Sequence, residues 1–118
     1  MTVGFTVPLL RGRDPRAALA DGGRSPADER ELRGRIQEAC RLASPGLVPT
    51  GEPVTLTLKI FRPDAPAAGA DPWPLAGLVL EALTGLLYQT PGQVVSLRCL
   101  RRRAETEALY VGAGEVRP

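Results

Sequence analysis

Arginine carries most of the chemistry this chain can offer. The 118 residues include 15 Lys and Arg against 13 Asp and Glu, and every base but Lys59 is arginine. A planar guanidinium donates two parallel hydrogen bonds at once, which suits phosphate oxygens. Two clusters stand out: Arg11, Arg13 and Arg16 follow the first predicted strand, and Arg101, Arg102 and Arg103 precede the last. Either can meet phosphate. Either can equally be a solvated surface, because a composition rich in Arg, Ala, Gly and Pro produces such runs without function. The formal charge of +2 is well below that of a dedicated nucleic-acid binder. Trp73, between Pro72 and Pro74, has three readings: a lid on the core, an anchor for a protein partner, or a surface on which an unpaired base stacks.

Other chemistry is excluded by composition. There is no histidine, so cysteine/histidine zinc sites and histidine-based catalysis are absent. Cys40 and Cys99 form no C-x-x-C pair, and Cys40 falls on an apolar helical stripe, where it reads as a small buried hydrophobe. Asp71 precedes Pro72 and is well placed as a helix N-cap.

The elements that must position these residues follow from periodicity. Val3, Phe5 and Val7 alternate in a first strand stopped by Pro8. Residues 10–24, rich in Arg, Gly and Asp, predict a mobile loop with at most one short turn near residues 17–20, long enough to hint at function or disorder. Ser25, Pro26 and Asp28 open a helix, whose stripe is Leu32, Ile36, Ala39, Cys40 and Ala43 and whose end is Ser44-Pro45-Gly46. Residues 53–62 form the clearest strand, with Val54, Leu56, Leu58 and Ile60 on one side and Thr55, Thr57, Lys59 and Phe61 on the other. After a flexible loop at 63–70, a second helix starts at Asp71 and runs through Leu75, Leu78, Val79, Ala82, Leu83, Leu86 and Leu87. It is apolar nearly all round, which requires cover from a sheet and from a partner subunit. A turn at 90–92 leads to strands 93–100 and 107–113, which pair best as a hairpin with residues 101–106 at its tip.

The order β-α-β-α-β-β predicts a single α/β (α+β) domain over residues 1–118, a small mixed sheet with two main helices. At this length one core is expected. The 43% apolar and 24% charged residues fit a soluble globular protein. The longest apolar stretch, residues 75–88, is shorter than the ~20 residues of a membrane helix, and the chain opens on no secretory-signal pattern. A cytoplasmic protein is expected, with no membrane partner.

That element order, with these residues in place, resembles the RusA family of Holliday-junction resolvases. The first half of the resemblance is Gly23-Arg24-Ser25 through Ala43 and then Pro53-Val54-x-Leu56-x-Leu58 to Pro63-Asp64. The second half is Asp71-x-x-x-Leu75 through Glu81-Ala82-Leu83-Thr84 and Gln93-Val94-Val95. The resemblance spans nearly the whole chain at low identity, and it implies a dimer that grips four-way DNA junctions and cuts them with magnesium. The family's aspartates bind Mg²⁺ through hard oxygen ligands, activating water and stabilising charge on the scissile phosphate. Asp71 matches the first of them. Trp73 stands at the second, Pro74 at the family's asparagine, Gly77 at a lysine, and Pro91 or Gly92 at the third aspartate. The basic run that precedes the pair in some relatives is the neutral stretch 65–70 here.

One carboxylate of three remains, so the resemblance implies a homologue with catalysis degenerate, Asp71 its remnant, and no metal held. Such a protein binds branched or structured DNA as a homodimer, with phosphate contacts from Arg11, Arg13, Arg16 and Arg101, Arg102, Arg103. A second reading is a protein-interaction module whose apolar surface is Pro72, Trp73, Pro74 and Pro91. A third is a magnesium endonuclease with a site rebuilt on Asp71 and Asp64, Glu81 being the one other nearby acid.

Overall fold

The computed structural model describes residues 2–8, 26–62, 73–106 and 108–116, with the backbone alone for residues 26–28, 62, 73 and 74. Among them the order is β1 Thr2–Pro8, α1 Pro26–Ala43, β2 Val54–Arg62, α2 Trp73–Leu83, a 3₁₀ turn at Pro91–Gln93, β3 Val94–Arg103 and β4 Ala108–Glu115. The strands make one mixed sheet in the order β1-β4-β2-β3. β4 runs antiparallel to both β1 and β2, while β2 and β3 are parallel. This is the expected α+β arrangement, a mixed sheet with two helices.

Alternation along each strand decides which face is buried. Val3, Phe5 and Val7 of β1, Val54, Leu56, Leu58 and Ile60 of β2, and Leu109, Val111 and Ala113 of β4 all point into the core. The helices close that core from the same side. α1 contributes Leu32, Ile36 and Cys40, and α2 contributes Leu75, Ala76, Leu78, Val79, Ala82 and Leu83. The helices are joined on their outer side: Arg33 donates to the Glu81 carboxylate at 3.0 Å, and the Gln37 side-chain amide donates to the Ala82 carbonyl at 3.2 Å. Gly46 and Gly85 follow the two helices with φ of +75° and +86°, the left-handed turn that reverses the chain at little steric cost.

Three expectations are corrected. β3 and β4 do not pair as a hairpin, because β2 lies between them and hydrogen-bonds to both. β2 alternates most cleanly and buries its whole apolar row, so it takes the position with partners on either side. The arginine-rich β3 takes an edge, where charge protects against further pairing. The second helix ends at Leu83, and Leu86 and Leu87 belong to the following turn, where the Leu87 carbonyl accepts from the Thr50 N–H at 3.0 Å. Finally, the stretch of α2 from Leu75 to Leu83 needs no partner subunit to cover it. Its apolar residues other than half-buried Leu80 are buried within one chain, and its exposed positions are Gly77 and Glu81. The expected loop at 10–24, the Ser25 cap, the loop at 63–70 and the Asp71 cap lie outside the described residues. No helix among the described residues is long and apolar enough to cross a membrane.

Candidate nucleic-acid interface

The face of the sheet opposite the helices is exposed or half-buried along every strand. The strand register arranges it as a grid of four rows. Thr2, Gly114, Thr55 and Ser96 form the first, and Gly4, Gly112, Thr57 and Arg98 the second. Thr6, Tyr110, Lys59 and Leu100 form the third, and Pro8, Ala108, Phe61 and Arg102 the fourth. No Asp or Glu occupies any of these positions, so Lys59, Arg98 and Arg102 set the sign of the face. The cations gather on β2 and the β3 edge, the small residues on β1 and β4.

Tyr110 is held flat on the small residues. A β-carbon at Gly4 would lie 2.8 Å from the Tyr110 hydroxyl oxygen, and one at Gly112 would lie 3.1 Å from ring atom Cε1. The ring therefore occupies the space two glycines leave open, and Lys59 Nζ stands 5.3 Å from its centroid, within cation–π range.

Of the two predicted arginine clusters, the second falls among the described residues. Arg101, Arg102 and Arg103 are exposed, as expected, but they end strand β3 and are not a hairpin tip. Alternation puts Arg102 on the open face and Arg101, paired with Ile60, on the helix side. Arg11, Arg13, Arg16 and Asp71 lie outside the described residues. Trp73 begins α2, with its backbone alone described.

The turn at Pro91–Gln93 is built for structure. The Gln93 side-chain oxygen accepts from the Gln89 and Thr90 N–H groups at 2.8 and 2.9 Å. Its nitrogen donates to the Thr50 and Glu52 carbonyls at 2.8 and 3.0 Å. One amide thus ties the turn before β3 to the chain entering β2. Gln93→Ala is expected to lower stability by about 2 kcal/mol, since four backbone groups then rely on water. Urea denaturation measures this, and an unchanged midpoint would contradict the latch.

Next to it, Tyr88 is fully buried, and its hydroxyl donates to the Leu80 carbonyl at 2.6 Å. Thr84 donates to the same carbonyl at 2.8 Å. Burial raises the Tyr88 phenol to about 12 against a hydrogen bond with Thr84 that lowers it. The folded state therefore holds this proton where the unfolded state releases it. The resulting stabilisation is complete below pH ~10 and is lost as pH rises toward 12, by about 1.4 kcal/mol per unit. In Tyr88→Phe the denaturation midpoint should fall less steeply across that interval than in the parent.

Among the described residues no group of three or more His, Cys, Asp and Glu side chains could hold a metal ion. Glu81 is paired with Arg33, and Asp64 lies outside the described residues. Cys40 is buried and Cys99 half-buried, both unbridged. Burial raises both thiols, with Arg41 pulling Cys40 back down in part. Neither sits in the electropositive, open setting that activates a thiolate.

No protein-family model matches the chain, and no curated protein matches it significantly. The open-face residues Lys59, Phe61, Arg98 and Tyr110 were not among the sequence-derived candidates. The signal was there in β4: Ala108, Tyr110, Gly112 and Gly114 alternate with Leu109, Val111 and Ala113. One face of that strand is small apart from a single aromatic ring, the pattern of a ring laid over glycines.

Proposed function

We propose that the chain is a RusA-like, non-cleaving DNA-binding protein of the cytoplasm that grips branched or structured DNA as a homodimer. The observation that supports this most is the edge strand β3, where Arg98, Arg101, Arg102 and Arg103 are all exposed on a strand with no acidic residue. Guanidinium groups along one edge can pair with backbone phosphates, and such contacts position a protein on DNA without reading its bases. A two-fold dimer would present two such edges, which suits the approximate two-fold symmetry of a four-way junction.

Cleavage is not part of this reading. Mg²⁺ is held by carboxylates together with substrate phosphate. An indole at Trp73 and Pro91 or Gly92 in the turn cannot replace two lost aspartates, so no metal is required.

The test is a titration of the purified protein against a labelled four-way junction and a plain duplex of equal length, at low and moderate salt, with and without Mg²⁺. The expected result is junction-selective binding that weakens steeply with salt, with no cut strand in either metal condition. Absence of binding to both DNAs would overturn the proposal. Magnesium-dependent cutting abolished by Asp71→Asn would replace it with the rebuilt nuclease.

A further inference from the structure

The open face of the sheet offers more than phosphate contacts. Arg98 and Arg102 lie two and six residues along from Ser96 on the β3 edge, with Leu100 between them, and all four share the open face. Lys59 stands one strand inward, opposite both Leu100 and Tyr110. The two aromatic residues, Tyr110 on β4 and Phe61 on β2, are diagonal neighbours across that strand pair, a separation of about 7–8 Å. Cations therefore line the outer edge and aromatic rings lie inward of them. A polynucleotide has the matching order, charged backbone on one side and flat bases on the other.

From this we infer that the open face binds an unpaired stretch of polynucleotide. Arg98 and Arg102 take the phosphates and Tyr110 and Phe61 stack successive bases. The inference deepens the DNA-binding proposal and rests on it for the class of ligand, adding the site and the single-stranded form. Tyr110 is prepared for this role: its inner surface fills the space over Gly4 and Gly112, which fixes the ring parallel to the sheet with little entropy left to lose. Lys59 Nζ lies over the ring, 5.3 Å from its centroid, so a stacking base must displace it, which leaves its ammonium to pair with a phosphate. Duplex DNA cannot use the rings, because its bases are already stacked and turned inward. Unpaired bases at a branch point can. Among the described residues, none of the sixteen open-face positions carries a carboxylate that would compete with phosphate for the three cations.

The experiment measures fluorescence anisotropy of labelled oligo(dT), oligo(U) and the four-way junction with the parent chain, Tyr110→Phe, Tyr110→Leu and Arg98→Ala. Leucine still covers the two glycines, so Tyr110→Leu removes the aromatic surface while keeping the packing, and circular dichroism verifies its fold. Oligo(dT) is expected to bind the parent and Tyr110→Phe alike, and to bind Tyr110→Leu roughly tenfold more weakly. Arg98→Ala should also weaken binding and flatten its salt dependence by about one unit. Oligo(U) shows whether the face accepts ribose, and binding of either strand fits the inference. If oligo(dT) and oligo(U) do not bind, or bind Tyr110→Leu as tightly as the parent, the stacking site is wrong. Retained junction binding in that case leaves the broader proposal standing, and loss of all three ligands removes both.

Discussion

Replacing Arg98 and Arg102 together with alanine is expected to weaken four-way-junction binding about a hundredfold at low salt. Both side chains are exposed on the open face of the edge strand, flanking Leu100. A hydrogen bond to a charged group contributes about 1.5–3 kcal/mol, and about 1.4 kcal/mol is a factor of ten in affinity. Two contacts at the lower end of that range give the hundredfold figure. The salt slope should also fall by about two, one for each phosphate no longer neutralised. Neither residue reaches the core, so the denaturation midpoint should stay within about 0.5 kcal/mol of the parent. Affinity unchanged by the double substitution would move the DNA contacts away from β3, toward the residues 11–16 cluster.

The second large effect concerns stability. Leu58 is fully buried at the centre of β2, with β4 on one side and β3 on the other. Leu58→Ala leaves a cavity that neighbouring backbone cannot close, at a cost of about 2–5 kcal/mol. A domain of this size has about 5–15 kcal/mol in total, so the loss should lower the melting temperature by roughly 10–20 °C. Lys59→Ala, one residue along, should change it little, because successive strand residues face opposite sides. Differential scanning calorimetry of the two variants tests both the register and the assignment of the buried face. Equal destabilisation would mean that the open face is covered.

Sequence periodicity made much of this fold legible. The alternation in β2 located its buried row residue by residue, and the Leu32–Ile36–Cys40 stripe located the inner face of α1. The order of strands in the sheet was not legible. Local alternation says which side a residue faces, but β3 and β4 are close in sequence and look like a hairpin. The pairing that wins is non-local: β2, with the larger buried row, takes a partner on each edge. That insertion also relocated Arg101–Arg103 from a supposed tip to the end of an edge strand. The site was legible in part. Consecutive arginines are visible as a string, whereas Lys59, Arg98 and Tyr110 are separated by up to 51 positions in the chain and meet only through the β2 register. The absence of acidic residues from that face is likewise a property of the register, not of the nearly balanced composition. The over-apolar second helix misled for a physical reason: periodicity cannot tell a helix covered by a second subunit from one enclosed by its own sheet, first helix and the turn at Leu86–Leu87.

The most direct measurement is backbone amide chemical-shift mapping by NMR during titration with the four-way junction. The largest shifts are expected on Thr57, Lys59, Arg98, Leu100, Arg102 and Tyr110, on the open face, with Ile36, Cys40 and Val79 in the core nearly unmoved. Shifts confined to the helical side, or none at DNA concentrations well above those of the protein, would contradict it.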